Sequence, residues 1–284
     1  MSLKHSNYFE TEGKKLIEKN LLLEDTFTFY MHIFNNFDNS IETFDWDIKN
    51  NPFIIFDKLP ALKPDNLVLP ENGTVEKSLK KTINIIEKTH PGINIGDPLS
   101  GIINNRPALE NAVRLLLKKE VDSLKIISDD LKIGNEEFIF TLLNSIKPYT
   151  VSLATSCEDR LRTIDYSLWT EAICPFCGYF ADISKIVDSR ENIRILHCGL
   201  CENEWQYKRL KCTICGNEDH ESMGYYTFDD DDRYRFDYCS RCKGYIKTIR
   251  IRNQFDESSI DLAAENILTG FLDASAIDMG YGRP

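Results

Sequence analysis

No stretch of this 284-residue chain reads as a membrane anchor or an export leader. Met1 to Lys15 lacks an apolar core of leader type, and no window approaches the roughly 18 consecutive apolar residues that a membrane span requires. The expectation is a cytoplasmic protein with no membrane partner. An excess of positive charge is missing too. Lys and Arg number 34 against 45 Asp and Glu, a net charge of -11, which disfavours a general attraction to nucleic acid and leaves room only for a local basic face. Also absent are a Ser-His-Asp arrangement, a Gly-rich phosphate loop and an H-E-x-x-H pattern. The chain is therefore expected not to be an enzyme, and no catalytic residue is named.

What is present is a composition of 42% hydrophobic and 28% charged residues, ordinary for a globular protein and sufficient for two modest domains. Residues 1 to about 172 show apolar positions at spacings of three and four, the signature of amphipathic helices that pack as a bundle. Leu23, Phe27, Tyr30, Phe34 and Phe37 form one stripe, and Val75, Leu79, Ile83 and Ile86 another. Pro107 suits the first turn of a helix carrying Leu109, Val113, Leu117, Val121 and Leu124. Phe138, Leu142 and Ile146 continue the pattern, followed by Ala154, Cys157, Leu161, Ile164 and Leu168. Asn50 to Gly73, with four prolines, reads as a long irregular connection.

From about Cys174 the period changes to two. The stretch EWQYKRL places Trp205, Tyr207 and Arg209 on one side of a strand, and YIKTIRIR sets Ile249 and Ile251 against Thr248, Arg250 and Arg252. A final helix is expected, N-capped at Ser258 or Ser259, with Ile260, Ala264, Ile267 and Phe271 on its apolar face and a stop at Gly280.

Eight of the nine cysteines fall into four C-x-x-C pairs: Cys174/Cys177, Cys198/Cys201, Cys212/Cys215 and Cys239/Cys242. The third pair repeats the first at an offset of 38 residues and the fourth repeats the second at 41, so two similar units follow one another. Within the units 20 and 23 residues separate the pairs, at or just beyond the upper end of the roughly 15–20 usual for a zinc ribbon. A reducing compartment and an odd cysteine count argue against disulfides, and a thioredoxin-like motif would be a single pair entering a helix. Metal binding is the better reading, because a tight turn aims two thiolates at one point and a second such turn completes a tetrahedron. Gly178, Gly216 and Gly244 are expected to supply positive φ at these turns. Two four-cysteine sites in sequence order are expected, with crossed and nested pairings as alternatives. Loaded with divalent ions, the chain moves from a formal charge of -11 to about -15. Such sites let a thin β-rich segment fold.

Other residues carry plainer readings. Cys157 lies on an apolar helical stripe as a buried, inert thiol. His197 sits beside Cys198 but is read as a strand side chain, since four sulfurs already fill each shell. Lys208, Arg209 and Lys211 with Trp205 and Tyr207, or Arg250 and Arg252 with Tyr245, could form an aromatic and basic surface for single-stranded nucleic acid; the competing reading makes the aromatics cover for a metal knuckle. Asp229 to Asp232 reads as the polar tip of a loop.

The segments CPFCG, LHCGLCENEW, KCTICG, YCSRCKGYIKT and DLAAENILTGFLDASAIDMGYGRP, from Cys174 to about Tyr281, resemble the formate dehydrogenase accessory protein family. That resemblance implies a cytoplasmic maturation factor that binds the formate dehydrogenase catalytic subunit. It also implies a helical domain followed by two rubredoxin-like modules, with two metal ions per chain, iron or zinc, each held by four cysteines. The expected architecture is α+β: a helical domain 1–172, ribbon modules 173–210 and 211–252, and a C-terminal helix and tail 253–284. Rubredoxin-like electron or sulfur transfer and a nucleic-acid-binding zinc ribbon are the rival functions.

Overall fold

A computed structural model of the chain describes residues 4–41, 54–166, 168–228, 231–252, 257 and 259–283, with backbone alone at 231 and 232. Two compact units emerge. One comprises Met1–Phe27, Thr163–Cys174 and Phe180–Pro284; the other comprises Thr28–Arg162 and the turn Pro175–Tyr179.

Helices make up the second unit. The amphipathic helix α2 (Glu24–Ile41) buries Phe34 and Phe37, while Leu23 is left exposed and Leu22 takes the buried place just before the helix. In α3 (Thr74–Thr89) all four positions of the expected stripe are buried. After α4 (Gly96–Ile103) the chain enters α5 (Arg106–Lys118), where Asn105 caps the amide of Ala108 and Pro107 occupies the first turn. The single helix expected to run on to Leu124 is in fact two. Lys119 turns left-handed at φ 61, and α6 (Val121–Leu131) starts anew with Val121 exposed and Leu124 buried. Seven-residue spacing keeps Leu117 and Leu124 apolar whether or not the helix is continuous, so the stripe hides the break. The long α7 (Asn135–Ser156) buries Phe138, Leu142, Ile146 and Ala154, and a short α8 (Glu158–Leu161) ends the run. Leu168, assigned to the same stripe, lies beyond the helix and is exposed. Between Ile54 and Gly73 the connection is irregular, yet it buries Ala61, Leu62, Leu67 and Leu69; residues 50–53 of it lie outside the described residues.

The other unit is built on one six-stranded sheet. Its strands are β1 (Ala181–Val187), β2 (Ile193–Cys198), β3 (Glu204–Tyr207), β4 (Met223–Phe228), β5 (Asp231–Cys239) and β6 (Gly244–Ile251), in the order β3-β2-β1-β6-β5-β4. All neighbours are antiparallel except β1 and β6, which run parallel from Ile183/Lys247 to Val187/Ile251. The two ribbons thus share a continuous ladder. Trp205 and Tyr207 alternate inward as the period of two requires, but β3 ends at Tyr207 and Arg209 lies beyond it, exposed.

Helices α1 (His5–Glu18), α9 (Leu262–Leu268) and α10 (Gly270–Asp278) belong to this sheet unit. Where one last helix is expected there are two, because the chain breaks at Thr269. Asp261 provides the N-cap, accepting from the Ala264 amide at 3.0 Å, and Ser258 lies outside the described residues. Gly280, at φ 80, ends α10 as expected. Ile183, Val187, Ile195, Ile249 and Ile251 pack with Leu262, and Phe236 and Tyr245 pack with Leu272 and Ala276, so the alternating apolar residues of the strands meet α9 and α10.

Buried ionic groups tie these helices down. Lys247, 1% exposed, reaches Asp273 at 2.7 Å, and Asp273 also receives Arg283 and the Tyr245 hydroxyl. Tyr8 on α1 donates to the buried Glu265 at 2.6 Å, and His5 bridges Asp261 at 2.5 Å and Glu202 at 3.1 Å. The two carboxylates outweigh burial and carry His5 up to about 10.

Candidate metal centres

The four C-x-x-C turns converge in sequence order. Cys174, Cys177, Cys198 and Cys201 form one group, and Cys212, Cys215, Cys239 and Cys242 the other, with the four sulfurs of each group within 4.8 Å of one another. Each turn closes in the same way. A residue of positive φ follows its second cysteine: Gly178 at 74°, Glu202 at 58°, Gly216 at 68° and Lys243 at 58°. Two of the expected glycines do supply this conformation. Gly244 does not, since Lys243 takes the left-handed position; Gly244 is instead required by crowding, as a Cβ there would sit 2.3 Å from Ile214 Cδ1 and 3.2 Å from Cys242 Sγ.

The turns also aim N–H donors at sulfur. Cys201 N donates to Cys198 Sγ at 3.5 Å, and the amides of Ile214 and Cys215 to Cys212 Sγ at 3.4 and 3.5 Å. An asparagine side chain repeats this in both groups: Asn203 Nδ2 lies 3.8 Å from Cys174 Sγ and Asn217 Nδ2 3.7 Å from Cys239 Sγ. Sequence reasoning passed over both asparagines, although each sits two residues after the second cysteine of a pair.

The donor set fits a tetrahedral ion. Four sulfurs about 2.3 Å from a centre stand about 3.8 Å apart along the edges of a tetrahedron. The sulfurs lie 3.5 Å apart for Cys174/Cys201, 3.7 Å for Cys212/Cys242 and 3.9 Å for Cys215/Cys239. These separations are far beyond a disulfide's roughly 2.05 Å. Each group can hold one ion, and an all-sulfur set accepts iron or zinc alike. As thiols, the members of the second group differ in acidity. Burial pulls Cys239 upward, but donors from Cys242, Arg241 and Asn217 outweigh it and bring the thiol to about 7. Burial pushes Cys242 up to about 12.

The groups differ most in cover. In the first, every cysteine is buried, as are Phe176 and Leu200 inside the two turns, both at 0% exposure. In the second, Cys215 is exposed and Cys242 half-buried, and the turn residues Ile214, Ser240 and Arg241 are exposed.

The remaining candidates fall outside both groups. Cys157 is 2% exposed, with its thiol pushed up by burial. His197 is buried on β2 and pairs with Asp182 at 2.7 Å. Trp205, Tyr207 and Tyr245 are all at most 5% exposed, so they offer no ring faces on which bases could stack. Arg250 is clasped by Asp188, both Nε–O distances being 3.0 Å. Of the acidic loop, Asp229 and Asp230 and the side chains of Asp231 and Asp232 lie outside the described residues. Among the described residues no helix is long and apolar enough to cross a membrane.

Residues 173–209, which contain the first sulfur group, match the family described as FdhE, central domain. Among curated proteins, an FdhE homologue of Shewanella baltica (strain OS195) is 29% identical over 62% of this chain and 58% of its own length. One from Aquifex aeolicus is 30% identical over 58% of this chain and 60% of its own, and one from Shewanella sp. (strain MR-4) 39% identical over 61% and 58%. The match thus spans less than two thirds of these relatives. The crystal structure of the FdhE protein from Pseudomonas aeruginosa shares the fold, with a TM-score of 0.58 at 17% identity, covering 98% of this chain and 94% of that one. The chain thus carries the pattern of the FdhE central domain over residues 173–209, is similar to FdhE homologues over part of its length, and shares its fold with an FdhE protein.

Proposed function

We propose that this chain is a non-enzymatic maturation factor for formate dehydrogenase, a cytoplasmic chaperone that binds the immature catalytic subunit. Its ribbon modules, 173–210 and 211–252, would each hold one iron or zinc ion through the eight paired cysteines. The observation that carries the reading is the pair of four-sulfur groups in a chain similar to FdhE proteins. Four thiolates fill a tetrahedral shell and leave no open position for a substrate or an activated water, so the ions would act by shaping a surface. Thiolate–metal bonds would add to the stability of the turns that carry the cysteines. Deleting the gene should abolish formate dehydrogenase activity while the catalytic polypeptide is still made. Normal activity in the deletion strain overturns the proposal.

A second reading is electron or sulfur transfer at the second group, favoured by the exposure of Cys215, since an iron ion held at the surface can exchange electrons with a partner. Protein purified aerobically should then absorb visible light and bleach reversibly with dithionite. Colourless protein holding two zinc ions removes it. The nucleic-acid reading loses its support with the burial of Trp205, Tyr207 and Tyr245.

A further inference from the structure

A cavity of about 440 Å³ opens beside the second sulfur group, on the sheet face opposite α9 and α10, and Cys212 and Cys239 form part of its wall. Its size falls within the roughly 300–1,000 Å³ typical of binding pockets. Its charge runs against that of the chain. Arg194, Arg209, Lys211 and Arg235 all line it, with Asp237 as the single carboxylate, in a protein of net charge -11. Even with the formal charge of about -2 that a loaded divalent four-thiolate centre would add, the pocket stays positive.

The floor is built rather than solvated. Arg194 and Arg235 are 4% and 9% exposed. Asp237 holds both, at 2.8 and 3.0 Å, and accepts from Thr248 as well at 2.6 Å, so its oxygens are already engaged. Arg235 Nε is buried without a hydrogen-bond partner. Burial, and then Arg194 and Arg209, press its guanidinium below the ordinary value despite Asp237. A pocket that collects guanidiniums around one saturated carboxylate is matched to an incoming carboxylate, which guanidinium groups bind in a fork geometry.

The rim has a second chemistry. Leu210, Ile214 and Tyr225 line the opening and are 58%, 37% and 61% exposed. Large apolar side chains held in water around a cationic floor mark a contact surface for a ligand that is both acidic and apolar. An extended polyanion is a poor match, because the carboxylates Glu218 and Asp219 flank the pocket-lining residues in the chain.

We propose that this pocket is the docking site for an acidic, apolar peptide segment of the partner polypeptide, with a carboxylate on the arginine floor and an apolar side chain against Leu210, Ile214 and Tyr225. The identity of that partner rests on the maturation reading above; the binding itself does not. The test uses the metal-loaded full chain and a fluorescent peptide alternating glutamate with leucine and phenylalanine, followed by anisotropy. The acidic peptide should bind, and weaken several-fold from low to physiological salt. Arg209→Glu and Tyr225→Ala, both at exposed positions, should each lower affinity by at least about tenfold while retaining both ions by elemental analysis. Lys14→Glu, a charge reversal at an exposed position of α1, should change nothing. Equal binding of the peptide with lysine for glutamate overturns the proposal, as do unchanged affinities in both pocket variants. So does displacement of the peptide by inorganic phosphate or a single-stranded oligonucleotide at equal concentration. In the deletion strain the Arg209→Glu chain should fail to restore formate dehydrogenase activity, and full restoration would remove the pocket from maturation. If deletion itself leaves activity intact, the maturation reading falls while peptide binding still decides the pocket.

Discussion

The two sulfur groups should release their ions at very different rates, and the difference can be worked from their cover. To reach a sulfur in the first group a chelator must wait for a turn to open, because all four cysteines are buried. Opening exposes Phe176 and Leu200, both at 0%. Fully burying a side chain of this size stabilises by about 1.5–3 kcal/mol, so exposing both costs about 3–6 kcal/mol, or roughly two to four orders of magnitude in the population of the open state. The second group needs no comparable opening, since Cys215 is exposed and its turns carry Ile214, Ser240 and Arg241 at the surface. Zinc-loaded protein mixed with excess chromogenic chelator should lose one ion in a fast phase and one in a phase at least about 100-fold slower. Cys215→Ser should abolish the fast phase alone, and Phe176→Ala should accelerate the slow one. Loss of both ions in one phase, or disappearance of the slow phase in Cys215→Ser, would refute the reasoning.

Three further outcomes follow from buried groups and close contacts. Gly244→Ala should cost roughly 1–3 kcal/mol by overpacking, because the new methyl would lie 2.3 Å from Ile214 Cδ1; ion loss confined to the second group and rescue by Ile214→Ala are the checks. Burial, opposed by Asp273, lowers the Lys247 ammonium to about 8, below its unfolded value, so the unfolded chain binds more protons between about pH 8 and 10.5. Lys247 therefore contributes stability that rises with pH across that window, by up to about 3 kcal/mol. The stability difference between wild type and Lys247→Met in urea should show that rise, and a flat difference counts against it. His5 has the opposite sign, since Glu202 and Asp261 overcome burial and raise it to about 10. Its contribution of a few kcal/mol is complete below about pH 6.5 and lost as pH climbs to 10; a His5→Ala difference curve that does not fall over this range would contradict the assignment.

What the sequence disclosed depends on how local each feature is. The grouping of the eight cysteines into two sets of four was legible because each pair is a single turn and its partner turn lies a ribbon's length away, so spacing alone constrains the geometry. Gly178 and Gly216 were legible for the same reason. Gly244 was misjudged because a glycine near a knuckle can answer a demand for space as well as for φ, and the contact that demands it comes from Ile214, thirty residues earlier. The α5/α6 break escaped because a heptad of apolar residues is equally consistent with one helix or two. Lys247 sits in a run of strand residues, and its burial is made tolerable by the Asn266 carbonyl of α9 and by Asp273 of α10, neither of which the strand pattern reveals. Arg194, Arg235 and Asp237 are likewise brought together from β2 and β5 by the order of the strands, which no local pattern encodes.

That strand order also decides where the two sulfur groups, the candidate centres, stand. In each ribbon the first knuckle precedes the first strand and the second knuckle follows the second strand, so each centre sits at the end of the ribbon where its strands β1 or β6 begin. Ala181 pairs with Cys198, and Gly244 with Cys239. Because β1 and β6 run parallel, both starts point the same way and the two centres line one end of the shared sheet. An antiparallel join would have put them at opposite ends. Parallel neighbours cannot be linked by a hairpin, and here the required crossover is the rest of both ribbons, from β2 to β5. The seam is sealed on one face by Ile183, Val187, Ile249 and Ile251, and on the other by the Ser184–Thr248 hydroxyl contact at 2.8 Å. Thr248 in turn holds Asp237, the carboxylate on which the arginine floor of the pocket converges. Cutting the seam with Ser184→Val should therefore disturb the pocket before either centre: peptide affinity should drop while both ions stay bound. Ion loss that precedes any loss of peptide binding would show that the seam supports the centres directly.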